Sequence, residues 1–355
     1  MVVGTNRLRV GLLGYGLAGR VFHAPLVAAT DGLELAVIVT ADPGRRSRAR
    51  ADYPGVRVVE TADQLFAAAS GLDLVVVATP NRAHVPLARR AIDAGLAVVI
   101  DKPLAPTSAD GRELIATARA RGVPLTVFQN RRWDGDFLTV SRLVREGALG
   151  RVLRFESRFE RWQPTIVPGF RESGQTDDAG GVLFDLGAHL VDQAMRLFGP
   201  PTTVYAELDR RRSGAAIDDD AFVALGHASG SRSHLWMSAV ASQLGPRMRV
   251  IGDRAAYVKF GLDVEEDQLA AGLRPGDPGY GEDPIERWGR LGTDAESESI
   301  PTEPGRYGAF YSGVAAALRD GSPMPVDPAE SVAVLEVIEA AIRSASEART
   351  ITLGS

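Results

Sequence analysis

The sequence predicts an α/β chain: a doubly wound parallel sheet, followed by an α+β domain whose sheet is mostly antiparallel. Three observations carry this. Short apolar runs alternate with helical stretches up to about Gln129. After that point strand-like segments follow one another without intervening helices. The chain has 355 residues, 45% of them hydrophobic, enough for two cores of ordinary size. The expected division is 1–129 and 130–355.

The elements follow in order. Residues 8–13 form an apolar run expected as a buried strand, and a helix is expected over 17–29, after a Gly-rich turn. Strands at 33–40, 56–59, 72–78, 97–100 and 124–128 alternate with helices at 45–52, 62–69, 83–94 and 108–120. Such alternation implies right-handed crossovers and a parallel sheet. Beyond it a helix is expected at 137–146, an alternating strand at 151–159 and a helix at 182–197. Successive strands then occupy 203–209, 221–227, 233–240, 248–251 and 256–260. Residues 261–305, rich in Gly, Pro, Asp and Glu, read as long loops, and helices at 307–319 and 329–343 close the chain.

Bulk properties exclude several classes. A net charge of −5 with no dominant basic patch argues against nucleic acid as a partner. Without cysteine there is neither a disulfide nor a thiolate metal site, and no metal-ligand set emerges from the other residues. No apolar run approaches the roughly 18 residues of a membrane helix, and the N-terminus lacks the regions of a secretory signal. A soluble, cytoplasmic protein is expected. Of 40 cationic residues only Lys102 and Lys259 are lysine. A lysine in so arginine-biased a chain is expected where arginine cannot serve, for example where a proton must be lost near neutral pH.

Gly14-Tyr15-Gly16-Leu17-Ala18-Gly19 is a GxGxxG between a strand and a helix. In that position Gly14 makes the tight turn, Gly16 lets a pyrophosphate reach the backbone, and Gly19 permits close helix packing. The competing reading is a glycine-rich turn with no ligand. At the end of the second strand, where an acid would hold the ribose hydroxyls of NAD, stands Thr40, followed by Asp42, Arg45, Arg46 and Arg48. A hydroxyl with arginines nearby suits the 2′-phosphate of NADP. Asp42 favours NAD if it faces the pocket, and the alternative for the arginines is a solvated helix face, the commoner fate of such runs. NADP is the expected cofactor, with NAD the alternative.

Two further clusters fall at strand ends, where open α/β sheets bind ligands. Thr79-Pro80-Asn81 with His84 follows one strand, and Asp101-Lys102-Pro103 follows the next. Lys102 could bond a substrate hydroxyl and pass its proton; the alternative is a surface lysine. Asp185 and His189 lie four apart on a predicted helix, hence on one face. A carboxylate there can orient an imidazole that acts as acid or base, or the pair is a helix-end carboxylate and an incidental histidine.

GxGxxG at Gly14–Gly19, TPNxxH at Thr79–His84, an acid-Lys-Pro triplet at Asp101–Pro103 and GGxxxDxGxHxxD at Gly180–Asp192 occur in that order. Together they resemble the glucose–fructose oxidoreductase/inositol dehydrogenase/rhizopine catabolism (Gfo/Idh/MocA) family over essentially the whole chain. Phe22-His23-Ala24-Pro25, Asn130-Arg131-Arg132-Trp133-Asp134 and Arg274–Gly279 resemble the branch that contains NADP-dependent scyllo-inositol 2-dehydrogenases. The resemblance implies a Rossmann domain and a second domain with a large open sheet used in substrate binding and oligomerisation, giving a homodimer or homotetramer. It implies Lys102, Asp185 and His189 as the catalytic set. Asp101 and Asn81 would approach the nicotinamide ribose and Asn130 the substrate. Two departures stand out: Asp101 where Glu is usual, and Phe170 before Arg171 where this branch has Trp. Arg158, Trp162 and Arg171 are candidates for shaping the substrate pocket, or are surface and packing residues. The expected activity is hydride transfer between nicotinamide and a secondary alcohol of a cyclitol or sugar. The alternatives are the same chemistry on an aldose or keto-sugar and a non-catalytic dinucleotide sensor, which need not keep both Lys102 and the Asp185/His189 pair.

Overall fold

The computed structural model describes residues 7–172 and 174–354. The chain forms two compact units. The first takes the chain through Asn130 together with Glu265–Tyr280 and Arg306–Val332; the second takes Arg131–Val264, Gly281–Gly305 and the chain from Ala333 onward.

In the first unit six parallel strands, β1 (Leu8–Leu13), β2 (Leu33–Val39), β3 (Arg57–Val59), β4 (Leu74–Val77), β5 (Ala97–Asp101) and β6 (Leu125–Phe128), stand in the order 3-2-1-4-5-6. Val10, Leu12, Val75, Val76, Val98 and Val99 are buried on both faces of the sheet, which is why these strands read as unbroken apolar runs. The strand order reverses between β1 and β4, and such a switch point leaves a crevice at the C-terminal edge. The expected helix after β1 contains a π-turn at Gly19–His23 before regular α-helix resumes at Ala24–Ala29.

In the second unit nine strands form one open sheet. β7 (Val152–Glu160), β8 (Pro201–Asp209), β9 (Asp220–His227), β10 (Arg232–Ser238), β11 (Met248–Gly252), β12 (Ala256–Lys259), β13 (Gly289–Gly292), β14 (Ser297–Ile300) and β15 (Ile351–Thr352) run in the order 14-13-12-11-7-10-9-8-15. Among the described residues of this sheet only the β7–β10 pair is parallel. Phe155, Phe159, Val223, Leu235 and Val250 bury one face against the helices Ala188–Phe198 and Pro328–Glu347.

The stretch 261–305, expected as loops, contains the helix Glu265–Ala271 and the strands β13 and β14. Gly-Arg-Leu-Gly and Ser-Glu-Ser-Ile are too short and polar to show a period of two. They become strands because β12 offers an edge for main-chain pairing. β15 was hidden for the same reason.

Candidate active site

The three glycines of the first turn occupy three different environments. Gly14 has φ +101°, and a Cβ there would meet the Ala78 carbonyl at 2.2 Å. A Cβ on Gly19 would lie 2.1 Å from the Gly14 carbonyl. On Gly16 it would meet only the Arg45 Nη1 atom, at 3.8 Å. Two glycines therefore close the turn, and the middle one leaves its backbone open to a phosphate at a helix N-terminus. These residues fit a dinucleotide.

The flanking residues divide accordingly. Thr40 is buried at the end of β2, its amide bonded to the Val59 carbonyl. The Asp42 carboxylate caps the helix Pro43–Asp52 by accepting from the Arg45 amide at 2.7 Å. Arg46 is held by the Ala41 carbonyl and Glu60, Arg48 is exposed, and Arg45 is the arginine that reaches the open glycine. Leu17 is exposed. Tyr15, a sequence candidate for the cofactor, is buried instead, and its hydroxyl donates to Asp52 at 2.7 Å. Its phenol is spent on the fold, leaving only its backbone for a ligand.

The C-terminal ends of β4, β5 and β6 carry the other first-unit candidates. After β4, Thr79 has a buried hydroxyl with no hydrogen-bond partner among the described residues, and Asn81 is buried two residues on, beyond exposed Pro80. His84 is fully buried, with Nδ1 2.8 Å from the Pro103 carbonyl and Nε2 2.9 Å from that of Thr79. It joins the turns after β4 and β5. Burial dominates its titration and lowers its pKa, so the neutral ring donates to one of these carbonyls at a time. Asp101, opposite Phe128 at the end of β5, accepts from the Lys102 amide at 2.9 Å. Burial, the largest influence on this carboxyl, raises its pKa, but His23, Lys102 and His84 outweigh it and hold it below the ordinary value. Lys102 is half-buried beside it, and Asn130 is buried just past β6.

The second unit contains a cavity of about 290 Å³, lined among others by Arg161, Gln163, Arg171, Asp185, Arg212 and Ser238. Asp185 lies in a π-turn, Leu183–Gly187, that begins where the Leu183 amide bonds Asp218 at 2.8 Å. Burial raises the Asp218 carboxyl to about 6. Arg171 Nε lies 3.2 Å from Asp185 Oδ1. His189 is buried one turn further along, its ring 6.4 Å from that of Phe159. Arg212, also buried, is neutralised by Asp219 and Glu172 at 2.9 and 2.8 Å.

Two pocket candidates are displaced. The Arg158 guanidinium stacks 4.0 Å over the Trp236 ring, and Trp162 is 58% exposed. Alternation explains this: Phe155, Ser157 and Phe159 face the core, so Arg158 and Trp162 fall on the opposite face, and Arg161 and Gln163 line the cavity. Parity along β7 was the signal that could have found them. Asp192, the last residue of the longest motif, makes a bidentate pair with Arg132 at 2.8 and 2.5 Å.

A parallel sheet that presents an open glycine turn, a buried threonine hydroxyl and a lysine at one edge defines a dinucleotide-dependent oxidoreductase. Comparison with known proteins agrees. Residues 8–129 match the model of an oxidoreductase family with an NAD-binding Rossmann fold, and residues 137–258 match the GFO/IDH/MocA C-terminal domain. The chain belongs to the Gfo/Idh/MocA family of NAD(P)-dependent oxidoreductases. It is 41% identical to the oxidoreductase YdgJ of Escherichia coli (strain K12), over 98% of this chain and 99% of that one. It is 35% identical to the scyllo-inositol 2-dehydrogenase (NADP(+)) IolW of Bacillus subtilis (strain 168), over 98% and 96%. A solved oxidoreductase structure, yvaA of Bacillus subtilis, superposes with a TM-score of 0.92 at 34% identity, covering 99% of both chains.

Proposed function

We propose that this dehydrogenase transfers hydride between nicotinamide and a secondary alcohol of a cyclitol or sugar, with NADP preferred. The observation that carries the reading is the set of groups at the C-terminal edge of the first sheet: open Gly16, the Thr79 hydroxyl, Asn81 and Lys102. The similarity to IolW supports a cyclitol and NADP. For NADP the supporting geometry is Arg45 beside Gly16, together with Asp42 committed to its helix cap.

When bound, the nicotinamide gives or accepts the hydride. Gly14, Gly16, Gly19 and Thr40 shape its dinucleotide cradle. Thr79, Asn81 and Asp101 would hold its ribose end, and Asn130 would serve the substrate. Lys102 handles the proton of the reacting hydroxyl, and His189 is the second acid–base group. Asp185 orients His189, and Arg171 Nε pairs with the Asp185 carboxylate at 3.2 Å beside the cavity. The second unit is the substrate-binding and oligomerisation domain. A homodimer or homotetramer is favoured by the aromatic cluster on the outer sheet face, where the rings of Phe222 and Trp236 lie 5.1 Å apart beside His234. A cytoplasmic location completes the reading.

The test is a rate screen of cyclitols and aldoses with NADP⁺ and NAD⁺, followed by nicotinamide absorbance. The expected result is turnover of at least one cyclitol or sugar, faster with NADP⁺. No turnover of any of them, or faster rates with NAD⁺ throughout, contradicts the substrate class or the cofactor preference respectively.

A further inference from the structure

We propose that His23 and Tyr311 are positioning residues for Lys102: a buried Tyr311–His23–Asp101 chain fixes the acid that anchors the turn carrying the lysine. The inference rests on the reading of Lys102 as the proton-handling group.

His23 ends the π-turn after the glycine motif and is fully buried. Its Nδ1 lies 2.6 Å from the Tyr311 hydroxyl, and its Nε2 lies 3.8 Å from Asp101 Oδ1. The Phe128 ring packs 4.4 Å from the imidazole, centroid to centroid. The proton positions follow from these neighbours. The Asp101 carboxylate facing Nε2 favours the ring hydrogen there, which leaves Nδ1 to accept from the Tyr311 hydroxyl. Burial and the Asp101 charge keep that phenol protonated and able to donate. At 3.8 Å the approach of Nε2 to Asp101 is a charge–dipole contact rather than a hydrogen bond, strengthened by the apolar surroundings.

The same Asp101 oxygen accepts the Lys102 amide at 2.9 Å. One atom therefore receives a backbone donor on one side and faces an imidazole on the other. The titratable groups facing His23 are Asp101, Tyr311 and His84; those facing Asp101 are His23, Lys102 and His84. Without the imidazole, the Asp101 carboxylate keeps one strong cationic neighbour, Lys102, and turns toward it. The ammonium then holds its proton more tightly.

This chain offers a readout that needs no substrate. Of its two lysines, Lys259 is fully buried, so acetic anhydride labelling resolved by peptide mass reports the unprotonated amine of Lys102. In the full-length protein, Tyr311→Phe and His23→Leu should slow Lys102 labelling at a fixed alkaline pH by at least about threefold, as expected when a carboxylate gains on an ammonium. His23→Gln, which keeps an N–H near the Nε2 position, should restore most of the rate. Turnover of scyllo-inositol with NADP⁺ should fall about tenfold in Tyr311→Phe, through kcat rather than the NADPH dissociation constant. Tyr311→Phe removes one oxygen and preserves packing, so it decides the matter if His23→Leu does not fold. Labelling unchanged in Tyr311→Phe, or no rescue by Gln, overturns the inference. Lys102→Met serves as a separate control: retained turnover there would defeat the reading of Lys102 and leave the labelling result to stand by itself.

Discussion

Asp192→Asn should destabilise the second unit severely, although Asp192 closes the motif that also holds Asp185 and His189. Its carboxylate meets the Arg132 guanidinium in two parallel bonds of 2.8 and 2.5 Å, and the two side chains are 8% and 4% exposed. Arg132 sits in the turn Asn130–Trp133, so the pair ties this turn to the helix Ala188–Phe198. The adjoining Gln193 amide reinforces the tie by donating to the Arg131 carbonyl at 2.8 Å. Asn removes the charge at constant size. Arginine cannot neutralise itself by losing a proton, so a buried cation remains. Breaking one side of such a pair costs about 3–5 kcal/mol, a large part of a typical margin of about 5–15 kcal/mol. The urea midpoint, read by tryptophan fluorescence with Trp133 next to the pair, should fall by about 1 M or more. Replacing both residues by leucine should recover most of the loss, because two buried charges leave together. A loss below about 1 kcal/mol in Asp192→Asn, or a double variant as unstable as the single one, would refute this reasoning.

Other outcomes follow from the same geometry. Gly16→Ala should keep wild-type stability within about 0.5 kcal/mol and weaken NADPH binding at least about tenfold in fluorescence titration. Gly19→Ala, whose Cβ would lie 2.1 Å from a carbonyl, should lower stability by about 1–3 kcal/mol in the same urea assay. Arg45→Ala should weaken NADPH and leave NADH unchanged; equal losses for both would detach Arg45 from the 2′-phosphate. The Asp218 carboxyl, raised by burial to about 6, lies above its unfolded value. The folded state therefore binds the extra proton between about pH 4 and 6, and stability declines as pH rises through that window. Asp218→Asn should flatten this dependence, measured by urea unfolding at several pH values.

Strand and helix order was legible where burial imposes a period. β4 and β5 lie inside the sheet and show apolar runs, as β1 does beyond Arg9, and the helix Ser108–Ala120 falls where it was expected. β13, β14 and β15 were not legible, since their pairing comes from a neighbouring edge rather than from their own side chains. At the candidate site, the glycine turn and Lys102 were visible because their residue types are chemically restrictive. Tyr15, Arg158 and Trp162 illustrate the limit: Tyr15 entered as part of the glycine motif and the other two as pocket candidates, but depth and strand parity set where they point. The rarity of lysine also has two meanings. Lys259 is buried where Asp283 Oδ2, the Phe260 carbonyl and the Arg287 carbonyl lie 2.5, 3.3 and 3.0 Å from a single Nζ. A compact ammonium can satisfy all three, and a planar guanidinium cannot. Rarity marks a place where arginine fails, and geometry decides whether the reason is chemistry or packing.

The most direct test of the central claim is the turnover of Lys102→Arg, measured beside its NADPH dissociation constant. Arginine preserves the charge but does not release a proton. If Lys102 handles the hydroxyl proton, turnover should fall by about 100- to 10,000-fold while NADPH binds as in the unmodified protein. Turnover near the original rate with normal binding would contradict the account and remove Lys102 from the chemistry.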